Sequence, residues 1–332
     1  QGRIAVGHRR LRVMDRTEHS QQPMLDPQLG LGIVFNGAIY NHPELRAELK
    51  AHGYSFYSEG DTEVILKAYH RWGIDCVDHF HGMFAFVIWE RDSGRVVLGR
   101  DRLGIKPLYT AGIKGGLRVA STLPALLAGG GIGREIDPVA LHHYLHFHAV
   151  VPAPHTILKG ARKLPPATVR VIEPNGDSRD RHYWHLDFTP QPDDARRSEG
   201  EWVEAVLSAT RTAVHRRLVA DEPVGALLSG GVDSSLIVGL MAEQGANLKT
   251  YSIGFEDVGA EKGNEFEYSD CVAQHFATDH HQIRIDSTNL LGRLPEAITA
   301  MSEPMVSHDC VAFYLLSEAV SKHSKVVQSG QG

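Results

Sequence analysis

One nine-residue stretch, Leu227-Leu228-Ser229-Gly230-Gly231-Val232-Asp233-Ser234-Ser235, constrains this chain more than any other feature. A short apolar run, Val224 to Leu228, predicts a buried strand. It breaks at two glycines, and from Asp233 the spacing of Leu236, Ile237, Leu240 and Met241 predicts a helix. Strand, small-residue turn and helix start together bring backbone N–H groups and the positive end of a helix dipole to one place, which favours an anion. The glycines allow close backbone approach, and Ser229, Ser234 and Ser235 add neutral donors. A bare phosphate would repel Asp233, so a divalent cation between them is implied, with Asp233 as its ligand. Neither a G-x-x-x-x-G-K-[ST] loop nor a G-x-S-x-G nucleophile elbow fits, and a plain capped turn needs fewer special residues.

The surroundings are consistent with such a site. From Val224 the pattern alternates: strand Lys249 to Phe255, helix Glu265 to Phe276, strand His281 to Ile285, helices Leu290 to Met301 and Val311 to Lys322, and strand Val326 to Gln328. This predicts an α/β, doubly wound parallel sheet. Three strands end in small residues, at Ser229-Gly230-Gly231, Gly254 and Ser329-Gly330, and ligands of open sheets lie at such C-terminal ends. Upstream, Trp202, Val203, Val206, Leu207, Val214 and Leu218 recur at helical spacing.

Residues 1–175 are different in kind, with short strands and few helices, an α+β pattern. A strand from Leu31 to Phe35 ends in Asn36-Gly37. Asn41-x-x-Glu44 reads as a capping box, Asp61 precedes the next helix as a cap would, and Arg91-Asp92-Ser93-Gly94 marks a hairpin. Residues 176–200, rich in Pro, Asp and Arg, read as a linker to a second domain at 201–332.

The chain of 332 residues is long enough for two cores, and 42% hydrophobic with 22% charged residues is an ordinary globular balance. A net charge of −6 gives no footprint for nucleic acid or an anionic membrane. No apolar run spans a bilayer, and three widely spaced cysteines (Cys76, Cys271, Cys310) point to reduced thiols and a cytoplasmic location. His142 and His146 are one helical turn apart, but no acid or third ligand accompanies them, so a solvated or packed face is preferred to a metal site. The chain opens at Arg3 to Val6 inside a strand-like pattern, without Met, and stops just after a strand and a glycine turn. A fragment cut at both ends is expected.

The SGGVDSS string resembles the pyrophosphate loop of enzymes that split ATP into AMP and pyrophosphate. GHRRL (7–11), FNGAIYN (35–41), EGDTEV (59–64), GMFAFVIW (82–89) and GRDRLGIKPLY (99–109) resemble the glutaminase domain of class II glutamine amidotransferases. In this order the motifs resemble the asparagine synthetase family over essentially the whole chain. The resemblance implies an N-terminal-nucleophile-type α+β glutaminase domain followed by an ATP-pyrophosphatase domain. The intact protein would be a glutamine-hydrolysing, AMP-forming ligase that uses ATP, Mg²⁺, glutamine and a carboxylate acceptor, with no nucleic-acid or membrane partner; a homodimer stays open.

Site residues carry over by position. Asn36 and Gly37 match the oxyanion hole, Arg10 the grip on the glutamine α-carboxylate, and Asp61 the acceptor for its α-ammonium. A plain turn, a solvated charge and an N-cap are their respective ordinary alternatives. Leu228, Ser229, Gly230, Gly231, Val232, Asp233, Ser234 and Ser235 match the ATP loop, with Asp233 the metal ligand; Ile253 and Gly254 match the strand passing adenine, and Ser329 and Gly330 the ribose and phosphate side. Arg100, Asp101, Gly104 and Tyr109 read as structural, an Arg–Asp pair bracing a turn. Glu303-Pro304 matches an acid–proline pair near the acceptor. Three departures stand out. The nucleophilic cysteine is not in the chain, so no glutaminase activity is expected of this stretch alone. Ala38 replaces a frequent acid. Gln331 replaces the glutamate of SGEG, and with HFHAVVPAPHTILKGARKLPP it resembles the branch that amidates N-acetylglutaminylglutamine. A true asparagine synthetase, a cyclase resembling β-lactam synthetase and a non-catalytic nucleotide-binding module are the alternatives.

Overall fold

The computed structural model describes residues 4–245, 247–255, 265–285, 290–305 and 309–330. Contacts divide the chain into two compact units, Gln1–Asp187 with Met301–Val306, and Phe188–Ala300 with Ser307–Gly332. No helix among the described residues is long and apolar enough to cross a membrane.

The first unit holds strands β1 (Met24–Asp26), β2 (Leu31–Ile39), β3 (Gly82–Glu90), β4 (Val96–Arg100), β5 (Tyr109–Ile113), β6 (Gly116–Ala120), β7 (Arg162–Lys163), β8 (Thr168–Ile172) and β9 (Ser178–His182). Its helices are α1 (His42–Ala51), α2 (Asp61–Trp72), α3 (Leu123–Ala128) and α4 (Pro138–His146). Six strands form an antiparallel sheet in the order β1-β2-β3-β4-β8-β9, and a smaller sheet runs β6-β5-β7. β3 shows why the large sheet is buried on both faces. Phe84, Phe86 and Ile88 enter the core shared with Leu45 and Leu49 of α1 and Val64, Ile65 and Ala68 of α2. The alternate residues Ala85 and Val87 pack with Leu98, Leu108 and Leu164 on the other side. Each fully buried aromatic or branched side chain there contributes about 1.5–3 kcal/mol relative to exposure.

Four expectations need correction. β2 does not stop before Asn36-Gly37 but runs through them to Ile39, paired with β3 throughout. Asn41 flanks α1 without capping it; its side chain instead accepts from His81 N and donates to His79 O. Asp61 is the first residue of α2, after Gly60, and not its cap. The stretch at 176–200 begins with a strand, since β9 extends the large sheet and Tyr183 packs on its core. β9 is an edge strand with four of its five residues exposed, so its polar sequence looked like linker.

The second unit contains α5 (Glu199–Arg216), β10 (Val224–Leu227), α6 (Val232–Ala242), β11 (Lys249–Phe255), α7 (Phe266–His275), β12 (Asp279–Ile285), α8 (Leu290–Ala300), α9 (Asp309–Val320) and β13 (Val326–Gln328). α5 starts at a complete capping box between Ser198 and Glu201. The four strands are parallel in the order β12-β11-β10-β13, with hydrophobic clusters around Val214, Val238 and Met241 and around Tyr251, Leu316 and Val320. The chain winds from β10 towards β12, then returns to place β13 on the other flank. The winding reverses between β10 and β13, which opens a crevice at their C-terminal ends.

Candidate active site

A cleft of about 570 Å³ lies at that reversal. Its apolar lining comes from Leu227, Tyr251, Ile253, Phe266, Phe313 and Leu316, and its polar lining includes Ser229, Gly231, Asp233, Ser234, Ser329 and Gly330. Small-molecule sites commonly combine an apolar body with a few convergent polar groups in this way.

The polar side is built by close backbone approach. Gly230 has φ +88°, and a Cβ there would lie 2.5 Å from Tyr268 Cβ and 2.7 Å from Ser269 N. At Gly330 a Cβ would lie 2.6 Å from Ser234 N, so the end of the β13 segment runs against the start of α6. Gly231 is the N-cap of α6 and provides no side-chain cap, which leaves the first-turn N–H groups of that helix for a ligand. The serines behave differently from the expectation of free donors. Ser234 Oγ and Ser235 Oγ donate to Gly231 O at 3.1 and 2.7 Å, while Ser229 Oγ accepts from Gly231 N at 3.3 Å and contacts Ser234 Oγ at 3.1 Å. The hydroxyls first hold the loop's own shape. Asp233 is exposed in the first turn of α6, and Glu265 is the other acid lining the cleft.

Of the residues matched to ATP binding, Leu228, Ser229, Gly231, Asp233, Ser234, Ile253, Ser329 and Gly330 meet in this cleft. Gly230 supports it from behind. Val232 is 85% exposed, Ser235 faces back on Gly231, and Gly254 is buried within β11. Gln331 lies outside the described residues.

In the first unit the matched residues are linked through backbone. Gly37 faces Phe84 on β3 with φ +150°, and a Cβ would sit 2.1 Å from Met83 O, so only glycine fits. Asp61 is buried and accepts from Ile39 N at 3.0 Å. Burial pushes its carboxyl pKa up, against the Ile39 N–H and the charges of His42 and Arg10. His8 Nε2 lies 3.0 Å from Phe35 O, which sets the Arg10 segment beside β2; burial lowers the His8 pKa. The Arg10 guanidinium donates to the carbonyls of Met14, Asp15 and Thr17. Those contacts use three of its five N–H groups and leave two for a ligand.

Asp15 completes this support. Its carboxylate accepts from Ser20 Oγ at 2.5 Å, Thr17 Oγ1 at 2.6 Å, Thr17 N at 3.0 Å and Glu59 N at 2.9 Å. Burial works to raise its pKa, but these donors outweigh it and hold the carboxyl well below the usual range. A depressed folded-state pKa means stability that is full above the unfolded value of about 4 and lost as pH falls through the folded value. Asp15→Ala is therefore expected to flatten the acid limb of the stability–pH curve below about pH 4, measured by urea unfolding, as well as lowering the neutral plateau.

Arg100 and Asp101 do brace a turn, but separately and not as a pair. Arg100 donates to the carbonyls of Gly104, Lys106 and Leu164, and Asp101 accepts from the N–H groups of Phe84, Leu103, Ile105 and Lys106. Tyr109 has a partner that its motif does not disclose. Its hydroxyl donates to Glu303 Oε1 at 2.6 Å, and Lys163 Nζ lies 3.0 Å from the same oxygen. Glu303 groups with the first unit.

A family model described as a glutamine amidotransferase domain matches residues 1–184, and one described as asparagine synthase matches residues 205–332. The chain belongs to the asparagine synthetase family. It is 33% identical over 329 residues to "Asparagine synthetase [glutamine-hydrolyzing] 1" of Bacillus subtilis, covering 99% of this chain and 50% of that protein. It is 31% identical over 342 residues to "Asparagine synthetase [glutamine-hydrolyzing] 3" of the same organism, covering 99% and 55%. It is 30% identical over 345 residues to "Amidase chyE" of Penicillium rubens, covering 99% and 50%. The chain thus spans about half the length of these curated relatives. Its family fold is a nucleophile-hydrolase-type amidotransferase unit followed by an ATP-pyrophosphatase unit.

Within this family member, sequence reasoning missed half the cleft. Tyr251, Ser252, Glu265, Phe266 and Ser269 line it from β11 and α7, and Phe313 and Leu316 from α9. The i, i+3 spacing of Phe313 and Leu316 marks one helix face, but only the fold says what that face meets.

Proposed function

We propose that this chain supplies the glutamine-handling and ATP-handling units of an AMP-forming carbon–nitrogen ligase. The observation that carries this reading is the cleft at the β10/β13 reversal, where an uncapped helix start, Asp233 and two glycine-enforced backbone approaches share the lining with a set of apolar side chains. That division suits a nucleotide, with the phosphates at the helix start and the base against Ile253 and its apolar neighbours. An acceptor carboxylate attacks the α-phosphorus of ATP, forming an acyl-adenylate and releasing pyrophosphate. Ammonia then attacks the acyl carbon, and AMP leaves with the amide formed. In the other unit, Asn36 and Gly37 stabilise the oxyanion of the glutamine amide, while Arg10 and Asp61 bind its α-carboxylate and α-ammonium.

The donor set suits Mg²⁺, which takes one or two carboxylates and completes its shell with phosphate oxygens and water. Asp233 would hold it, with Glu265 the second acid of the cleft. Bound there, the ion would neutralise charge developing on pyrophosphate. Asp233→Ala in the full-length enzyme should reduce ATP-dependent AMP release by about a thousandfold. Turnover like that of wild type would remove the metal role.

Two acceptors are in play. Gln331 and the 146–166 string favour N-acetylglutaminylglutamine, because an amide cannot serve as a carboxylate does there. The names of the relatives favour aspartate. Glutamine-dependent AMP formation measured with each acceptor separates the two, and AMP formation that needs no glutamine would favour a cyclase.

A further inference from the structure

From the lining of the cleft a line of buried and part-buried hydrogen bonds crosses three strands. Leu228, the last residue before the glycine loop, is held at both ends of its peptide unit. Its N–H donates to Tyr251 O at 2.8 Å, and its carbonyl accepts from Ser252 Oγ at 2.6 Å. Ser252 has one hydroxyl proton and spends it on Leu228 O, so the partner at 3.0 Å, His280 Nε2, must be the donor to Ser252. A neutral imidazole that donates from Nε2 accepts at Nδ1. The group there is Thr250 Oγ1 at 2.8 Å, which in turn lies 2.8 Å from Thr278 Oγ1. The proton order is therefore fixed along the whole line, Thr278 to Thr250 to His280 to Ser252 to the Leu228 carbonyl.

We propose that His280, on β12, is a positioning residue for the nucleotide cleft, which acts by locking the Ser252 hydroxyl onto the carbonyl from which the glycine loop departs. This deepens the ATP-binding reading given above and rests on it. Thr250 and Ser252 are 0% and 3% exposed, so the Ser252 bond to Leu228 O is shielded from water. The charged groups facing the ring are Asp270 on α7, 3.6 Å from Nε2 and already engaged by Gln282, and His281 on the same strand. Burial lowers the His280 pKa and His281 adds to this, while Asp270 and the Thr250 backbone oppose it; the net lowering favours the neutral ring from which the proton order was written. Without the imidazole, Ser252 can rotate away, and the loop loses the register that sets Ser229 and Asp233 against the phosphates.

The test uses the full-length protein and Mg-ATP, with binding measured by calorimetry and folding checked by thermal unfolding. Ser252→Ala and His280→Phe are each expected to weaken binding about tenfold. The double variant should be no worse than the weaker-binding single, because both remove the same constraint. His280→Gln keeps an N–H donor towards Ser252 and should recover binding to within about threefold of wild type. Additive losses, no loss in His280→Phe, or a His280→Gln as weak as His280→Phe would overturn the proposal. If His280→Phe does not fold, the Ser252→Ala and His280→Gln pair decides: binding unchanged in Ser252→Ala, or weakened in His280→Gln as much as in Ser252→Ala, overturns it. A wild-type protein that binds no nucleotide would instead overturn the functional reading itself.

Discussion

Gly230→Ala should abolish ATP-dependent AMP release, whereas Gly231→Ala, one residue away, should reduce it only a few fold. The two glycines are adjacent in the same loop, so the contrast tests geometry and not composition. Gly230 sits at φ +88°, a conformation that costs a residue with a Cβ about 1–3 kcal/mol. The added carbon would also stand 2.5 Å from Tyr268 Cβ and 2.7 Å from Ser269 N, both on α7. A backbone nitrogen inside a helix cannot rotate aside, so either the loop lifts or α7 moves. Lifting the loop displaces Ser229 and Asp233, which in the proposed reading meet the phosphates. Moving α7 displaces Phe266 and Ser269, which line the cleft. Either route should weaken Mg-ATP binding by more than about a hundredfold, or about 2.7 kcal/mol. Gly231, at φ −70°, would place its Cβ 3.4 Å from Ser229 Oγ, an ordinary contact with a side chain that can turn. Calorimetry on the two variants measures the difference directly. Equal affinities would mean that close approach to α7 does not shape the loop.

The strand–loop–helix was legible in the sequence because three independent local signals coincide: an apolar run, a glycine pair, and 3.6-residue periodicity after an acid. Sequence reading failed where a residue answers to a partner distant in the chain. Asn36-Gly37 looks like a turn because most such pairs are. Here Gly37 is required by the Met83 carbonyl of the neighbouring strand, 46 positions later, which no local pattern reveals. Asn41 has the spacing of a cap, but His79 and His81 claim its amide. Arg100 and Asp101 suggest a pair by adjacency, yet each is consumed by carbonyls or N–H groups of the turn it closes. The same limit hid the apolar lining of the cleft. Phe313 and Leu316 carry no motif, and their role comes from α9 packing over the sheet, where Leu316 clusters with Tyr251, Ile253 and Ile283.

Lys67→Met should destabilise the first unit by about 3–5 kcal/mol and make it gain stability in mildly acid solution, where wild type does not. Lys67, 6% exposed on α2, lies 2.8 Å from Asp26 and 3.3 Å from Glu63, and both acids are buried. Glu63 also accepts from Tyr57 N, Ser58 N and Ser58 Oγ, so this cluster sets the loop that leads through Glu59 and Gly60 to Asp61. Removing the lysine that pairs with both acids takes that cation from two carboxylates in low dielectric, which costs far more than the salt bridge contributes. In wild type, burial works to raise the Asp26 pKa, but Lys67 and the N–H groups of Leu29 and Gln28 prevail and hold it low. The stability it contributes is present above about pH 4 and falls away as acid titrates the folded form. In Lys67→Met the largest opposing group is gone, and burial should carry the folded-state pKa above the unfolded one. The penalty is then full well above that raised value and relieved as pH falls through it towards the unfolded value of about 4, so the variant should gain stability on mild acidification while wild type, above about pH 4, stays level. Chemical denaturation across that range gives the two slopes. Parallel curves would mean that Asp26 does not depend on Lys67, and the loop ahead of Asp61 would need another anchor.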